Sequence, residues 1–189
     1  GASTAMGDVN GDGFADLIVG APASLGGAGH LYVFYAIEVA PGRALIVQGN
    51  ATGTSTQLSG DDDRFLGLGA SVAAGDVTGD GVSDVVAGAP GTAGTPEGEP
   101  GRVYVFHALP ASPDDPAQGL IPATVFGANA TIVAQNAGTD FGRAVALGDV
   151  NGDGFADVIA GATLAAGTRG EVYVFHAATD GSGVPTTFT

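Results

Sequence analysis

The apolar residues of this chain come in short runs between stretches rich in glycine and aspartate. One class of run alternates apolar and polar or aromatic residues: GHLYVFYA (29–36), GRVYVFHA (101–108) and GEVYVFHA (170–177). A second class is almost continuously apolar: LIVGAP (17–22), VVAGAP (85–90) and VIAGAT (158–163). Helical periodicity is absent, whereas β-branched and aromatic residues bounded by glycine are typical of short strands and tight turns. The pattern predicts an all-β fold.

These runs recur in a fixed order, three times. Each copy opens with a small strand-like piece: GASTAM (1–6), LGASVAA (68–74) and FGRAVAL (141–147). An acidic loop follows, then the continuous run, and then the alternating run. The acidic loop GDVNGDGFAD (7–16, loop 1) returns unchanged at 148–157 (loop 3), and GDVTGDGVSD (75–84, loop 2) lies between them. Repetition over such a period indicates a repeat architecture.

Two looser segments, 37–64 and 109–140, each contain a candidate fourth strand, STQLSG and ATIVAQNAG. Four short antiparallel strands in a unit of roughly 70 residues fit one blade of a β-propeller. We therefore expect three antiparallel propeller blades, at 1–64, 65–140 and 141–189, the third truncated before its fourth strand. Propellers contain about four to eight blades, so this is a partial or open propeller. Further blades of a longer chain, or self-association, would complete it.

Charge and composition exclude several classes of function. The chain has 20 acidic residues against five arginines and no lysine, for a net charge of −15. Nucleic acids and anionic membranes require a basic surface, so neither is an expected partner. The absence of cysteine excludes disulfides and thiolate chemistry. No apolar run reaches the length of a membrane-spanning helix, so we expect no membrane insertion. Bound cations would offset the negative charge.

Each acidic loop has the donor pattern of a calcium site. Oxygen-bearing side chains occupy loop positions 1, 3, 5 and 9, counted from the first aspartate, and position 7 offers a backbone carbonyl. Ca²⁺ takes six to eight oxygen ligands, and the glycines at positions 4 and 6 permit a sharp reversal. The predicted ligands of three Ca²⁺ sites are Asp8, Asn10, Asp12, Phe14 and Asp16; Asp76, Thr78, Asp80, Val82 and Asp84; Asp149, Asn151, Asp153, Phe155 and Asp157.

A simple acidic hairpin turn is the alternative interpretation of one loop, but three copies with the same oxygen spacing favour the ion. Mg²⁺ is less suited than Ca²⁺ to a flexible loop with many protein oxygens. EF-hand and dockerin loops carry an acid at position 12, where this chain has Val19, Ala87 and Ala160. Thr78 is a weaker donor than asparagine, so loop 2 is expected to be the weakest site.

With FG at 141–142, the loops, and GAP at 20–22 and 88–90, the sequence resembles the FG-GAP repeats of integrin alpha-subunit β-propellers and their bacterial relatives. The resemblance covers nearly the whole chain and implies Ca²⁺ in the hairpin between the first two strands of a blade. Two departures concern packing and turns. Copy two has Leu68–Gly69 in place of FG, and copy three has GAT at 161–163.

No nucleophile elbow, phosphate loop or zinc-protease motif occurs. His107 and His176 share one repeat position, which Tyr35 fills in copy one, and we interpret them as residues at the end of a strand. Two hypotheses remain. The first is a non-catalytic, Ca²⁺-stabilised propeller that binds a protein or glycan on a cell surface or matrix. The second is an accessory domain of a secreted enzyme or carbohydrate-binding protein. Loops lacking the position-12 acid suit extracellular calcium levels, so both predict an extracellular location.

Overall fold

The structure is a computed structural model that describes residues 1–46, 55–60, 67–91, 99–109, 128–164, 169–179 and 185–188. Apart from one short 3-10 turn, Leu25–Gly27, the regular elements of these residues are strands. They are β1 Ser3–Gly7, β2 Asp16–Ala21, β3 His30–Phe34, β4 Ala36–Ala40, β5 Arg43–Ile46, β6 Ser55–Ser59, β7 Ser71–Gly75, β8 Asp84–Ala89, β9 Arg102–Phe106, β10 Ala130–Val133, β11 Phe141–Gly148, β12 Asp157–Ala162, β13 Glu171–Phe175, β14 Ala177–Thr179 and β15 Pro185–Phe188.

Three antiparallel sheets repeat one connectivity, which confirms the all-β blade architecture. Blade 1 has the strand order β1-β2-β3-β6, and blade 2 has the equivalent order β7-β8-β9-β10. Blade 3 consists of β11, β12 and β13 in the described residues. The predicted fourth strands of copies one and two are thus present as β6 and β10. The boundaries 1–64, 65–140 and 141–189 stay a prediction.

Two small hairpins were not anticipated from the sequence. β4 pairs with β5 directly after the third strand of blade 1, and β14 pairs with β15 at the corresponding place after blade 3. The first lies in a segment whose sequence suggested only a looser connection. Its turn includes Gly42, whose φ of 72° suits glycine.

Successive residues of the strands point alternately to the two faces of blade 2, and a hydrophobic core lies on each face. Tyr104 and Phe106 of β9 lie in a core shared with blade 1, which includes Ile18 and Leu31. Val103 and Val105 of the same strand lie in a second core, shared with blade 3. Successive strand residues point to opposite faces, so one strand serves both interfaces. The blades consequently stack face to face, with the acidic loops at one end of each sheet.

In copy three, threonine replaces the proline of the GAP motif, and this threonine is hydrogen-bonded to a second residue that differs from the other copies. Asp140 adopts a left-handed conformation with φ of 59°, where copy two has Gly67 at 95°. The hydroxyl of Thr163 donates a hydrogen bond to the Asp140 carboxylate. Thr163 stands where the other copies have proline. This hydrogen bond links two departures that are far apart in sequence.

Candidate metal centre

Each acidic loop forms the hairpin between the first two strands of its blade, and its first aspartate organises it. The Asp8 carboxylate accepts hydrogen bonds from the backbone N–H groups of Gly11 at 2.7 Å, Asp12 at 3.1 Å and Gly13 at 2.7 Å. Gly11 and Gly13 have φ of 76° and 88°, which favours glycine at positions 4 and 6. Asp149 accepts the equivalent three bonds in loop 3. Asp76 accepts two of them in loop 2.

The side chains at the middle positions make further hydrogen bonds within the loop. In loop 1, Asn10 accepts from the N–H of Asp12 at 3.0 Å and donates its amide to the Asp12 carboxylate at 3.1 Å. Asp12 accepts in turn from the N–H of Phe14 at 2.8 Å. In loop 2, the Thr78 hydroxyl lies 3.4 Å from Asp76 Oδ1, and the expectation that loop 2 is the weakest site stays a prediction.

The last aspartate of each loop is buried and ties the hairpin to the rest of its blade. Asp16 is fully buried and accepts from the N–H of Val9 at 3.0 Å and of Ala36 at 2.7 Å. Ala36 follows the third strand of blade 1, so this carboxylate joins the loop to a residue 20 positions later.

The other copies repeat this bridge. Asp84 accepts from the N–H groups of Val77, Thr78 and Ala108. Asp157 accepts from those of Val150 and Ala177. The bridge therefore belongs to the repeat and not to one copy.

Within loop 1, and likewise within loop 2, the carboxylates repel one another. Burial raises the pKa of Asp16 to about 6, against the lowering effect of its backbone donors, and the charges of Asp12 and Asp8 raise it further. Burial likewise raises the pKa of Asp84 to about 7, with added repulsion from Asp80 and Asp76. In each of these two loops the first, fifth and ninth positions thus share one region of negative potential, which a cation would relieve.

Loop 3 differs in its electrostatics. Burial again acts to raise the pKa of Asp157, but His176 and the N–H groups of Val150 and Ala177 outweigh it, and the pKa is lowered. His176 Nδ1 lies 3.1 Å from the Asp157 carboxylate. Sequence reasoning had placed His176 merely at a strand end. The signal that marks it is its repeat position, immediately before the alanine whose N–H the last aspartate accepts.

The donor chemistry of the loops fits Ca²⁺ in part. A carboxylate oxygen has two lone pairs, so the accepted N–H bonds leave acceptor sites free for a hard cation. In the described part of the chain, however, no group of three or more acidic, histidine or cysteine side chains is arranged to hold a metal ion by itself. An ion in loop 1 would also have to draw on the Asn10 oxygen and the Phe14 carbonyl.

All fifteen predicted ligand residues lie in described parts of the chain, five in each hairpin, and they stay candidates. Sequence reasoning missed the backbone partners of the last aspartates, Ala36, Ala108 and Ala177, because these lie beyond the third strand. Of the helical residues that the structure describes, none forms a helix long and apolar enough to cross a bilayer.

The comparisons agree with this repeat geometry. The FG-GAP repeat model matches residues 1–34, 68–106 and 141–175, which is more than half of the chain. Integrin alpha pat-2 of Caenorhabditis elegans is 33% identical over 195 residues, and its Caenorhabditis briggsae counterpart is 31% identical. Both alignments cover 96% of this chain and 14% of the relative.

A second kind of relative is the phosphatidylinositol-glycan-specific phospholipase D of Bos taurus. It is 29% identical over 182 residues, which cover 89% of this chain and 19% of the enzyme. The chain thus spans about a seventh of the integrin relatives and about a fifth of the phospholipase. With three matched repeats, three hairpins of one geometry and blades of one strand order, the chain belongs to the FG-GAP repeat family.

Proposed function

We propose that this chain is a calcium-binding, non-catalytic set of propeller blades from an extracellular protein, acting in adhesion or protein–protein interaction. The observation that carries the proposal is the acidic hairpin, present three times, in which the first aspartate accepts backbone N–H groups of its own loop and the last aspartate accepts one from beyond the third strand. In two copies the buried aspartate is held at a raised pKa by burial and by its own loop's carboxylates.

Calcium gives these hairpins a structural role. In loop 1, Asp8, Asp12 and Asp16 would hold the ion together with Asn10 and the Phe14 carbonyl. Bound Ca²⁺ supplies positive charge where three carboxylates repel one another. Because Asp16 also accepts the N–H of Ala36, holding this carboxylate in place fixes the hairpin against the end of the third strand. The chain's own bridge would carry the stabilisation from the loop to the blade.

The extracellular assignment rests on the calcium affinity expected of these loops. Extracellular calcium modules bind with dissociation constants of about 10⁻⁴–10⁻³ M. These loops lack the bidentate acid that strengthens EF-hand sites, so they match the calcium level outside cells. The integrin relatives support an adhesion role.

The phospholipase relative favours the second candidate, an accessory propeller beside a catalytic domain. Under either candidate, the blades themselves perform no chemistry. The described loop carboxylates are engaged with backbone N–H groups, and no nucleophile–base motif is present in the sequence. The chain alone is expected to release no product from a phosphatidylinositol-glycan-anchored protein. Measurable hydrolysis by the purified chain would contradict the non-catalytic assignment.

Calcium binding is tested by stoichiometry. Isothermal titration and native mass spectrometry of the chelator-treated chain with Ca²⁺ alone should give three ions per chain. Asp12→Ala and Asp153→Ala should each remove one ion. Glu38→Gln is the matched control, because Glu38 is exposed, lies outside the loops and accepts the N–H of Gly42. A chain that binds no Ca²⁺ at about 1 mM, or a variant that still binds three ions, would contradict the assignment.

Adhesion has a separate test. Beads coated with the chain should attach to cultured cells at about 1 mM Ca²⁺ and detach when EDTA is added. Beads coated with the Asp12→Ala chain should attach less well than those coated with the Glu38→Gln chain. Equal attachment with and without calcium would remove the link between the loops and adhesion.

A further inference from the structure

A cavity of about 450 Å³ lies between blade 2 and blade 3. Its walls are β10 and the segment that follows it on one side, and β11 and β13 on the other. Ligand pockets of proteins have volumes of about 300–1,000 Å³, so this cavity can hold a small molecule. None of the candidate calcium ligands is among the described residues that line it. The cavity is therefore a separate feature from the acidic loops.

Three aromatic rings in the wall of the cavity form a corner, which we call the aromatic corner. Tyr173 and Phe175 lie on the same side of β13, with ring centroids 6.2 Å apart and an angle of 18° between the ring planes. Phe141 is nearly perpendicular to both, at 80° to Tyr173 and 83° to Phe175. Phe141 is buried in the core between the blades, whereas Tyr173 is 39% exposed. The core thus fixes the corner, and ring surface stays accessible to a ligand.

A carboxylate lies next to the aromatic corner. The Tyr173 hydroxyl donates a hydrogen bond to Glu171, the exposed first residue of β13. The described residues that line the cavity include no basic side chain. Within the described part of the chain, moreover, Glu171 forms no ion pair. The cavity therefore combines aromatic rings and a negative charge without a cation of its own, in a chain of net charge −15.

Copy two differs from copy three at the same two positions of the third strand. Arg102 stands in copy two where Glu171 stands in copy three. Tyr104, the counterpart of Tyr173, is only 3% exposed. The negative charge and the accessible tyrosine ring consequently belong to copy three and are not general features of the repeat.

The segment before the first strand also differs between these copies. Copy three has Gly138 and Thr139 shortly before Phe141, whereas the aligned positions of copy two are Phe65 and Leu66. Thr139 lines the cavity. Phe65 and Leu66 lie outside the described residues, so this comparison is one of sequence. The smaller residues of copy three favour an open cavity.

We propose that this cavity binds a small organic cation of the quaternary ammonium class, which choline represents. Aromatic ring faces attract a cation that lies within about 6 Å of the ring centroid. Glu171 adds a full negative charge, and the negative potential of the chain raises the local concentration of cations. Both attractions act on the charge of the ligand.

The polar groups of the cavity favour a quaternary ammonium over a guanidinium. A guanidinium brings five N–H donors that need acceptors. Glu171 provides the only carboxylate among the described lining residues, and it already accepts from Tyr173. A quaternary ammonium has no N–H group, so the aromatic corner can surround it without leaving a buried donor unsatisfied.

The test is a titration of the chain with choline chloride and, separately, with the uncharged carbon analogue of choline, in which carbon replaces the nitrogen. Isothermal titration at an ionic strength held constant with KCl should give a dissociation constant for choline near or below about 1 mM. The neutral analogue should bind at least about tenfold more weakly. In ¹H–¹⁵N correlation spectra, choline should shift the amide signals of residues 132–136 and 171–175.

The first pair of variants tests the ring. Tyr173→Leu should weaken choline binding about tenfold, because it removes the most accessible ring of the corner. Tyr173→Phe keeps the ring and should bind choline within about threefold of the wild-type chain. Tyr32→Leu is the matched control, because Tyr32 has the same repeat position in blade 1 and does not line the cavity. It should leave choline binding unchanged.

Glu171→Gln tests the charge and covers the case in which Tyr173→Leu fails to fold. It should weaken the binding of choline but not that of the neutral analogue. Equal affinity for choline and the neutral analogue would overturn the proposal, and so would choline binding that neither Tyr173→Leu nor Glu171→Gln weakens. Amide shifts confined to the acidic loops, or tighter binding of ethylguanidinium than of choline, would also overturn it. None of these results would bear on calcium binding, which is measured at other residues.

Discussion

Loop 1 and loop 3 have the same ten residues, yet the fold places them in different surroundings. Their internal geometry is the same: the first aspartate accepts three backbone N–H groups, and the last accepts two. Blade 2 covers the residue after the first aspartate in loop 1, so Val9 is 0% exposed, whereas Val150 in loop 3 is 55% exposed. Identical sequence gives identical hydrogen bonds but not identical electrostatics.

The difference is clearest at the last aspartate. Burial and neighbouring carboxylates raise the pKa of Asp16, whereas His176 and the backbone donors lower the pKa of Asp157 against the effect of burial. Tyr35 stands in copy one where His176 stands in copy three. The pKa of the same side chain thus shifts in opposite directions in the two copies, and the residue after the third strand is one of the causes.

The largest expected effect is the removal of calcium from all three loops. With a dissociation constant of about 10⁻⁴ M, each site adds about 1.4 kcal/mol at 1 mM Ca²⁺, and three sites add about 4 kcal/mol. EDTA should therefore lower the melting temperature by about 10 °C, given about 2–4 °C per kcal/mol for a chain of this size. Differential scanning fluorimetry with and without EDTA measures this, and superimposed melting curves would contradict calcium binding.

Substitution of the last aspartate should lower the free energy of unfolding by different amounts in loop 1 and loop 3. Asp16→Ala leaves the N–H groups of Val9 and Ala36 without acceptors in a buried site, and we expect a loss of about 2–4 kcal/mol. Asp157→Ala leaves only the N–H of Ala177 without an acceptor in a buried site, because the N–H of Val150 can reach water. Its loss should therefore be about 1–2 kcal/mol. Urea unfolding in EDTA compares the two without a calcium contribution. An equal or larger loss for Asp157→Ala would show that blade 2 does not protect loop 1.

The pH dependence of the calcium-free chain should have opposite signs at the two loops. The folded pKa of Asp16 is about 6, above its unfolded value near 4. Its contribution is therefore fully present below pH 4 and is lost as pH rises through 6. Asp157 has a lowered pKa, so its contribution is present above about pH 4 and is lost as pH falls further.

The measurement is urea unfolding in EDTA from about pH 4 to pH 7. Asp16→Asn should remove a decline of about 1–2 kcal/mol over this range, whereas Asp157→Asn should not. With calcium present the wild-type slope should reverse, because the ion needs ionised carboxylates. A calcium-free chain that gains stability with pH through Asp16 would contradict the assignment.

The smallest effect tests His176 itself. His176→Phe removes the ring nitrogen that lies 3.1 Å from Asp157, and the pKa of Asp157 should rise toward that of a buried carboxyl. The carboxyl ¹³C titration of the calcium-free chain follows Asp157 directly. Tyr35→Phe is the matched control in copy one and should leave the titration of Asp157 unchanged. An unmoved Asp157 titration in His176→Phe would assign the lowered pKa to the backbone donors alone.

The sequence by itself determined the strand types, the repeat and the interior of each loop. The hydrogen bonds of Asp8 reach only three to five residues along the chain, so their geometry follows from the local order of aspartate and glycine. The fourth strands β6 and β10 were also predicted, as one candidate strand in each segment after the third strand. The ligand set is predicted by the same local pattern and awaits measurement of the ion.

Only the tertiary structure decided what surrounds those elements. The bridge from Asp16 to Ala36 spans 20 residues, and local pattern does not encode which distant N–H group meets a carboxylate. The exposures of Val9 and Val150 differ because blade 2 covers one loop and no described blade covers the other. The pKa of the last aspartate therefore depends on residues beyond the loop as well as on the loop's own carboxylates.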